Sequence, residues 1–354
     1  MKKTNILMCC SDLSVKGGMV SVVKNYLGYD NWDNFNIVYI PTHIEKNKLL
    51  VLLYFIQAYL HILFGAIFHK YKAAYLHTAE RGSFFRKAIL VRTLRCFGIK
   101  TIMHHHAAEF EPFYEALPEN RKQYVNRTLE MVDLNIVLSN RLVSMITSKA
   151  PNARVKVLYN AVPTYVKNPY CVEAKNILFL GRLGQRKGTY DLLKAIKMLD
   201  EEMPKDIQFY LCGDGEIDNV KEVIKKYGIA HRIAHIGWID AKQKQDYMAN
   251  TMMNVLPSYH EGLPMSILET MAYGIPNIST NIASIPEVIR DGENGFMIEP
   301  GDVKTLAEDI KCLYLEPALR EQMSDKSWRE LTDRFALDKH ISTVKGYITE
   351  VLNQ

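Results

Sequence analysis

The sequence lacks several patterns that define common protein classes. None of its six cysteines forms a Cys-x-x-Cys pair or a cysteine–histidine cluster, which argues for a reducing compartment and against a disulfide framework or structural zinc. The N-terminus shows no secretory signal, and its short apolar run predicts a first strand. No Gly-x-Gly-x-x-Gly motif follows that strand, so a dehydrogenase is disfavoured. No low-complexity segment, short repeat or nucleic-acid-binding motif occurs.

Basic and acidic residues are divided unevenly along the chain. Residues 1–170 contain 22 Lys and Arg against 11 Asp and Glu, whereas the remaining residues contain 22 and 28. A chain of 354 residues exceeds what one hydrophobic core usually serves, which favours two domains. The basic half either carries an ordinary solvated surface or faces an anionic partner. Because no nucleic-acid motif occurs, a membrane is the preferred partner.

Strand-like runs alternate with helical patterns along nearly the whole chain, which predicts parallel sheets with right-handed crossovers. The first series lies at 5–9, 36–39, 73–76, 100–103, 134–137 and 155–158, and the second at 177–180, 208–212, 232–236, 253–256, 277–279 and 295–298. We expect an N-terminal α/β domain over 1–165, a second over 166–335, and a terminal helix over 336–354 that packs back on the first. Ligands should bind at the carboxyl ends of the strands.

The segment Leu49–Phe68 is almost wholly apolar and long enough to span a bilayer. Gln57 and His61 leave a narrow polar stripe, and spanning here would separate the first two strands from the rest of the chain. The sequence therefore predicts a crossover helix packed against the sheet. Lysines at both ends also fit a helix that rests in a lipid interface, and both roles can hold at once. These lysines are Lys46, Lys48, Lys70 and Lys72.

The strongest motif is Ser258-Tyr-His-Glu-Gly-Leu-Pro-Met-Ser-Ile-Leu-Glu269, which follows a predicted strand. Pro264 is typical of the first position of a helix, and Gly274 of the cap at its end. The loop before the helix should therefore favour an anion such as phosphate, because unpaired N–H groups and the macrodipole meet there. Glu261 and Glu269 offer acceptor oxygens to sugar and ribose hydroxyls. Two isolated glutamates would suit a solvated helix, but the complete string favours function.

A second motif, Gly181-Arg-Leu-Gly-Gln-Arg-Lys-Gly188, follows the strand at 177–180. Arg182 offers a planar fork of donors and Lys187 a point charge, a pairing suited to two phosphates. A solvated turn would explain these residues equally well when they are taken alone. Arg186 is a flanking alternative that we expect to point to solvent.

Both strings resemble motifs of retaining glycosyltransferase family 4, of the capsule and exopolysaccharide type, above all its motif of two glutamates separated by seven residues. The resemblance covers nearly the full chain and is most specific over residues 176–300. It implies the GT-B fold, in which two Rossmann-like doubly wound domains face each other across a cleft. It also implies that Arg182 and Lys187 bind the donor diphosphate and that Glu269 binds the ribose. The sugar and diphosphate contacts implied are Glu261, Gly262, Leu263, Pro264 and Met265.

Two glycine turns are weaker candidates for donor binding. Gly17-Gly18 follows the first strand, and in the family the equivalent turn faces the diphosphate and acceptor. Gly213 follows the strand at 208–212, where a tight turn is nearly as good an explanation as nucleotide contact. The family places the base near this turn and near Trp238.

Three histidines, His104 to His106, follow the strand at 100–103. Because alternate strand residues point to opposite faces and no further ligand is evident, the pattern argues against a metal site. Such a histidine is often structural, but family 4 enzymes carry one at this strand end that approaches the donor sugar. The resemblance thus favours a catalytic role for His106, with His104 second, although Ala107 replaces a glycine usual there.

Acceptor residues are expected on loops around these histidines. The candidates are His104, Glu80, Arg81, Phe110 and Phe113. The aromatic rings could stack on sugar rings, but packing against the helix that follows would explain them equally well.

The resemblance implies a retaining transfer from a UDP-sugar to a glycan or lipid-linked acceptor. The basic N-terminal half and the apolar helix with its flanking lysines predict that the protein works at the inner face of the cytoplasmic membrane. His106, Glu261, Arg182 and Lys187 would act in catalysis, with no metal or cofactor besides the donor. No Asp-x-Asp metal motif occurs. An epimerase acting on UDP-GlcNAc with the same architecture remains an alternative, as does a non-catalytic partner of another transferase. The two-glutamate motif weighs against the first, and the four retained residues weigh against the second.

Overall fold

The computed structural model describes residues 3–354, and the chain divides into two compact units. Unit 1 comprises Met1–Ala161 together with Leu337–Gln354, and unit 2 comprises Val162–Ala336. Each unit contains one six-stranded sheet in which every pair of neighbouring strands is parallel.

The sheet of unit 1 has the order β2-β1-β3-β4-β5-β6. Its strands are β1 (Thr4–Cys9), β2 (Phe35–Tyr39), β3 (Ala73–Thr78), β4 (Lys100–His105), β5 (Leu134–Val137) and β6 (Val155–Val157). All six residues of β3 are buried, as expected for a parallel strand covered on both faces by helices.

The sheet of unit 2 has the order β12-β11-β10-β7-β8-β9. Its strands are β7 (Asn176–Leu180), β8 (Gln208–Cys212), β9 (Ile233–Gly237), β10 (Thr251–Leu256), β11 (Asn277–Thr280) and β12 (Gly295–Ile298). All twelve predicted strands are present, with ends within two residues of the prediction. The doubly wound α/β architecture of both units is thereby confirmed.

Thirteen α-helices occur among residues 3–354. They are α1 (Gly18–Leu27), α2 (Lys48–Ile67), α3 (Gly82–Cys96), α4 (Phe110–Glu115), α5 (Glu119–Met131), α6 (Val143–Thr147), α7 (Thr189–Leu199), α8 (Ile217–Tyr227), α9 (Ala241–Ala249), α10 (Met265–Ala272), α11 (Val303–Leu315), α12 (Pro317–Arg334) and α13 (Leu337–Leu352). Helix α13 belongs to unit 1, where His340 Nδ1 lies 2.8 Å from the carbonyl oxygen of Tyr159 and its Nε2 hydrogen-bonds the Tyr26 hydroxyl.

Helix α2 is the crossover between the parallel strands β2 and β3, as the sequence predicted. One side of it packs into the core of unit 1, through Phe55, Ala58, Ile62, Gly65 and Ala66. By length and composition alone it is also the single helix of the described chain that could cross a membrane. The prediction that it packs against the sheet is confirmed for this side only.

Candidate active site

Three loops of unit 2 meet at one edge of its sheet. Strands β10, β7 and β8 are consecutive neighbours in the sheet and run parallel. Their carboxyl ends therefore lie side by side, and the loops beginning at Pro257, Gly181 and Gly213 emerge together. The sequence motifs assigned to donor binding thus converge in space, which is the usual ligand position in doubly wound sheets.

A buried ion pair joins two of these loops. Lys187 Nζ donates to Glu261 Oε1, and the Ser258 hydroxyl donates to the same oxygen at 2.8 Å. The side chains of Lys187 and Glu261 are only 14% and 6% exposed. The sequence predicts that both residues contact a donor, and the structure adds that their two charges neutralise each other.

The loops can approach so closely because two glycines leave room for backbone. A Cβ atom on Gly188 would lie 1.9 Å from the carbonyl oxygen of Pro257, and this glycine also has a φ of +70°. A Cβ atom on Gly213 would lie 1.8 Å from the carbonyl oxygen of Gly181. Any side chain at either position would push the loops apart.

Helix α10 begins immediately after the Glu261 loop. Pro264 is the residue before the helix rather than its first residue, which corrects the prediction by one position. Within residues 3–354 no side chain caps this helix, so its first N–H groups are available to an anion as the sequence suggested. Gly262, Leu263, Pro264 and Met265 are all buried, and Gly274 ends the helix with a φ of +66°.

Glu269 has a partner that the sequence did not reveal. Lys244 Nζ, on α9, lies 2.8 Å from Glu269 Oε1, and both side chains are partly exposed. Lys244 belongs to no motif, and it reaches Glu269 from a different helix. Its ammonium therefore stands next to the carboxylate assigned to the ribose.

Arg182 and Arg186 lie on the exposed side of the β7 loop. The Arg182 guanidinium has no hydrogen-bond or ion-pair partner in the part of the chain that the structure describes, so it is free to bind a ligand. The Arg186 carbonyl accepts a hydrogen bond from the Tyr259 N–H at 2.9 Å, and its side chain points to solvent as predicted. Trp238 follows β9 and is half exposed.

The histidine cluster of unit 1 contains His77, His104 and His106. His77 Nδ1 lies 2.9 Å from His106 Nε2, and His104 Nδ1 lies 3.0 Å from the Tyr75 hydroxyl. His77 and His104 are fully buried and His106 is half-buried. Strand β4 extends through His105, two residues further than predicted, so only His106 follows the strand.

Burial keeps these imidazoles neutral. It lowers the pKa of His106 to about 3 and lowers the pKa values of His77 and His104 well below the usual range. The Nε2 atom of His77 is buried without a partner. We assign the shared proton to His77 Nδ1, since the opposite choice would bury an unpaired N–H at Nε2. His106 then carries its own proton on Nδ1, where it can donate to a ligand.

The structure corrects the prediction that no further ligand lies near these histidines. Alternation turns His105 to the other face, where its Nε2 lies 3.0 Å from Asn135 Oδ1, but it leaves His104 and His106 on one face. His77 on β3 supplies the further ligand that the sequence did not reveal, and one nitrogen of each imidazole lies within 4.8 Å of the others. Two of the nitrogens are already hydrogen-bonded to each other, and among the described residues no carboxylate joins the group. Hydrogen bonding is the role that this geometry displays.

The acceptor candidates divide into surface and core residues. Arg81 precedes α3 with a φ of +58° and pairs with Glu109 at 3.1 Å, and Glu80 Oε2 is buried without a hydrogen-bond partner. Phe110 and Phe113 are buried and pack against Phe84. Packing, the alternative left open by the sequence, is therefore the role that the structure gives to the two phenylalanines.

The glycine turn of unit 1 is exposed. Gly17 has a φ of +136° and immediately precedes α1, which begins at Gly18, one residue before the predicted start. No side chain caps α1 within residues 3–354. The turn therefore presents unpaired N–H groups at the carboxyl edge of the unit 1 sheet.

Two basic residues near this edge were missed by the sequence analysis. Lys87 is 1% exposed, its Nζ donates to Thr42 Oγ1 at 2.7 Å, and burial lowers its pKa to about 8. Neither Lys87 nor Arg86 forms an ion pair with any residue in 3–354, and Arg86 Nε is buried without a partner. Both lie in the second turn of α3. Adjacent basic residues normally indicate a solvated surface, so no pattern could have predicted their burial.

Unit 2 is similar to a known protein family. Residues 166–329 match the family described as glycosyl transferases group 1. This stretch contains both of the motifs described above and nearly all of unit 2, so the similarity to group 1 glycosyl transferases lies in unit 2.

Two curated relatives are similar to this chain. One is 2-deoxystreptamine N-acetyl-D-glucosaminyltransferase from Niallia circulans, 30% identical over 162 residues, which are 46% of this chain and 41% of the relative. The other is an uncharacterized 41.2 kDa protein in the cps region of Klebsiella pneumoniae, 26% identical over 79% of this chain and 80% of the relative. The chain spans less than half the length of the first relative.

Solved structures share the fold over the whole chain. Sucrose-phosphate synthase from Thermosynechococcus elongatus aligns with a TM-score of 0.79 and 17% identity, over 99% of this chain and 100% of its own. Anabaena HepE in complex with UDP-glucose aligns with a TM-score of 0.75 and 18% identity, over 98% and 99%. The predicted GT-B fold is confirmed.

Proposed function

We propose that this chain is a retaining glycosyltransferase that transfers a sugar from a nucleoside diphosphate donor to a glycan or polyprenyl-linked acceptor in surface polysaccharide synthesis. The observation that carries the proposal is the Lys187–Glu261 pair at the start of α10, inside the segment that matches the transferase family. A lysine cation, a buried carboxylate and uncapped N–H groups together suit a phosphate with a sugar attached.

Donor binding in this proposal exchanges protein contacts for ligand contacts. The diphosphate takes the charge of Lys187, Arg182 and the α10 N–H groups, while Glu261 turns to the sugar hydroxyls and Glu269 to the ribose. These donors stabilise the negative charge that develops on the leaving diphosphate, and such electrostatic stabilisation usually contributes most to the rate enhancement. Because this chain's own residues can supply that positive charge, we propose that neither metal nor cofactor is required. UDP is the preferred nucleotide, since HepE binds UDP-glucose.

Retention of configuration follows from the family resemblance. A double displacement would need a carboxylate nucleophile near the anomeric carbon, and no residue is assigned to that role. We propose instead that the acceptor attacks the same face from which the diphosphate departs. The His106 Nδ1–H would donate to a hydroxyl of the transferred sugar.

We assign the acceptor to unit 1. Lys87 and Arg86 place positive charge without a paired carboxylate near the N-terminus of α3, which favours an acceptor that carries phosphate. A polyprenyl diphosphate-linked glycan has this chemistry. We therefore place the reaction at the inner face of the cytoplasmic membrane.

Thermal melting with nucleotides tests the proposal. UDP at a hundredfold over its dissociation constant should add about 2.7 kcal/mol to the free energy of unfolding. GDP, ADP and CMP at the same concentration should add less. Equal shifts for all four, or no shift with any nucleoside diphosphate, would contradict donor binding.

A further inference from the structure

Helix α2 has two apolar faces, and only one of them is covered. Residues Phe55, Ala58 and Ile62 turn inward to the core of unit 1. On the opposite face the large apolar side chains are between 44% and 66% exposed. This exposed stripe consists of Leu49, Leu52, Leu53, Ile56, Leu60, Phe64 and Ile67. A continuous stripe of this length on a protein surface marks an interaction site.

The helix is fixed to unit 1 along its whole length. The Tyr54 hydroxyl donates to Asp12 Oδ2 at 3.3 Å, and the hydroxyls of Tyr59 and Thr93 lie 3.1 Å apart. Tyr71 packs so closely under Gly65 that a Cβ atom there would come within 2.4 Å of the ring. Crossing a bilayer would break these contacts and remove a crossover between parallel strands. The stripe therefore has to be covered from outside.

Charges around the stripe indicate what covers it. The helix contains no acidic residue, and Lys46, Lys48, Lys70 and Lys72 bracket it. Glu45 and Asp12 are the acids at its N-terminal end, and Asp12 is hydrogen-bonded to Tyr54. Unit 1 as a whole carries 23 Lys and Arg against 13 Asp and Glu. The same face of a second copy would bring like charges together, whereas an anionic lipid surface complements them.

We propose that α2 lies flat on an anionic bilayer, with its apolar stripe among the upper acyl chains and the four lysines at lipid phosphates. Helices with this division between an apolar face and flanking lysines bind membranes in this way. The helix is about 30 Å long at 1.5 Å per residue. Insertion along this length anchors unit 1 without a spanning segment.

This docking also orients the acceptor edge. The Tyr54–Asp12 contact places the N-terminal half of α2 beside the loop that follows β1, at the carboxyl edge of the sheet. A lipid-linked acceptor with its chain in the bilayer would enter at this end of the helix. The orientation of the acceptor rests on the proposed function, while the docking itself does not.

Flotation of the full chain with vesicles tests the docking. Vesicles of phosphatidylcholine and phosphatidylglycerol at three to one should carry the protein upward at low salt, and vesicles of phosphatidylcholine alone should carry at least tenfold less. Binding should fall as salt rises, since attraction to the surface fades within a Debye length of about 8 Å at physiological salt. Alkaline carbonate should release bound protein, as expected for a protein that does not span the bilayer.

Matched variants distinguish binding through the stripe from nonspecific hydrophobic adsorption to the vesicles. Leu53→Glu with Leu60→Glu should reduce the bound fraction at least tenfold, and so should exchange of the four lysines for glutamate. The control is Met198→Glu with Leu315→Glu, two equally exposed apolar residues of unit 2, which should bind like the parent chain. Unchanged circular dichroism and an unchanged UDP-induced shift in melting temperature verify that the stripe variants fold.

Three results would overturn the proposal. The first is a well-folded parent chain that ignores anionic vesicles at low salt. The second is equal loss of binding in the unit 2 control. The third is a dimer in lipid-free solution that Leu53→Glu with Leu60→Glu converts to a monomer, since the stripe would then be covered by a second copy. Nucleotide melting is independent of all three, so failure of docking and failure of the transferase proposal can be told apart.

Discussion

Units 1 and 2 share a doubly wound α/β architecture but differ in the polar side chains at the carboxyl edges of their sheets. In unit 2 the edge carries ionised side chains in pairs, Lys187 with Glu261 and Lys244 with Glu269. In unit 1 it carries neutral imidazoles that hydrogen-bond one another, together with the buried cation of Lys87. Unit 1 has a net charge of +10 and unit 2 of −5. The edge of unit 2 thus holds its charges as ion pairs, whereas the edge of unit 1 combines neutral histidines with a buried lysine that has no acidic partner in the described part of the chain.

Lowering the pH should produce the largest difference between the two units in their free energies of unfolding. Burial lowers the pKa values of His105 and His340 in unit 1 to about 4, so from pH 6.5 downward the unfolded state takes up protons that the folded state refuses. Each of the two histidines lowers the free energy of unfolding by about 1.4 kcal/mol per pH unit, or by about 2 kcal/mol between pH 6.5 and pH 5. In unit 2, burial raises the pKa of Asp309 to about 7, so its folded state binds a proton more readily than its unfolded state does. Protonation of Asp309 therefore increases the stability of unit 2 as the pH falls.

The measurement is urea unfolding at pH 7 and pH 5 in variants that keep a single tryptophan. Trp32 reports on unit 1 and Trp328 on unit 2. The free energy of unfolding at Trp32 should fall by about 4 kcal/mol, counting His105 and His340 alone, and should fall less in His340→Gln. Equal losses at both tryptophans would contradict the contrast.

Lys187→Ala should cost the most of any single substitution at the ionic edge. Removing Lys187 leaves the buried Glu261 carboxylate without a counter-charge and with only the Ser258 hydroxyl as donor, and loss of one partner of a buried ion pair typically costs about 3 kcal/mol or more. UDP affinity should fall much further than uridine affinity, because the diphosphate loses its cation. Isothermal titration with both ligands, alongside urea unfolding, checks the two effects.

Arg182→Ala is the matched control for Lys187→Ala. Its guanidinium is exposed and lacks a protein partner among residues 3–354, so stability should change by less than about 0.5 kcal/mol. UDP should still bind at least tenfold more weakly than in the parent. If UDP and uridine weaken alike in both variants, the two residues act through structure and not through the phosphates.

Glu269→Ala should weaken UDP binding by about 2 kcal/mol, since the ribose hydroxyls lose a charged acceptor. Lys244→Ala leaves the carboxylate in place and removes only its partner, so the loss there should be smaller. Isothermal titration of the folded variants decides the matter. An unchanged UDP affinity in Glu269→Ala would remove the ribose assignment.

His106→Ala should lower turnover about tenfold, the size expected for one lost hydrogen bond, with UDP binding near that of the parent chain. The reason is that its Nδ1–H is proposed to reach the sugar and not the nucleotide. His104→Ala is the comparison, because His104 Nδ1 is already engaged by the Tyr75 hydroxyl. Full activity in His106→Ala, or loss of UDP binding, would count against the role.

The sequence predicted most of the fold because parallel strands buried on both faces are written as continuous apolar runs. Runs such as 134–137, 208–212 and 295–298 match the observed strands at both ends. It also located the unit 2 edge, since Arg182, Lys187, Glu261 and Glu269 follow strands within two short motifs. Candidate site residues that lie close together in the sequence can therefore be found from the sequence alone.

What the sequence could not predict depends on packing across elements. Lys244 reaches Glu269 from another helix, and His77 reaches His106 from another strand. Strand β4 extends two residues beyond its apolar run, because His104 and His105 are buried and each has a hydrogen-bonded ring nitrogen. Histidine is polar, so the sequence does not indicate that these two residues are buried. The burial of Phe110 and Phe113 could not be predicted either, because the sequence does not distinguish an aromatic residue on a loop surface from one in the core.

The return of α13 to unit 1 has a consequence for how the chain is made. Unit 1 needs Leu337–Gln354, which are translated only after all of unit 2, whereas unit 2 is one continuous stretch. On the ribosome, unit 2 can finish folding while unit 1 still lacks the helix that supplies His340 to Tyr26. A nascent chain would therefore be able to complete the fold of unit 2 before unit 1 has gained its last helix.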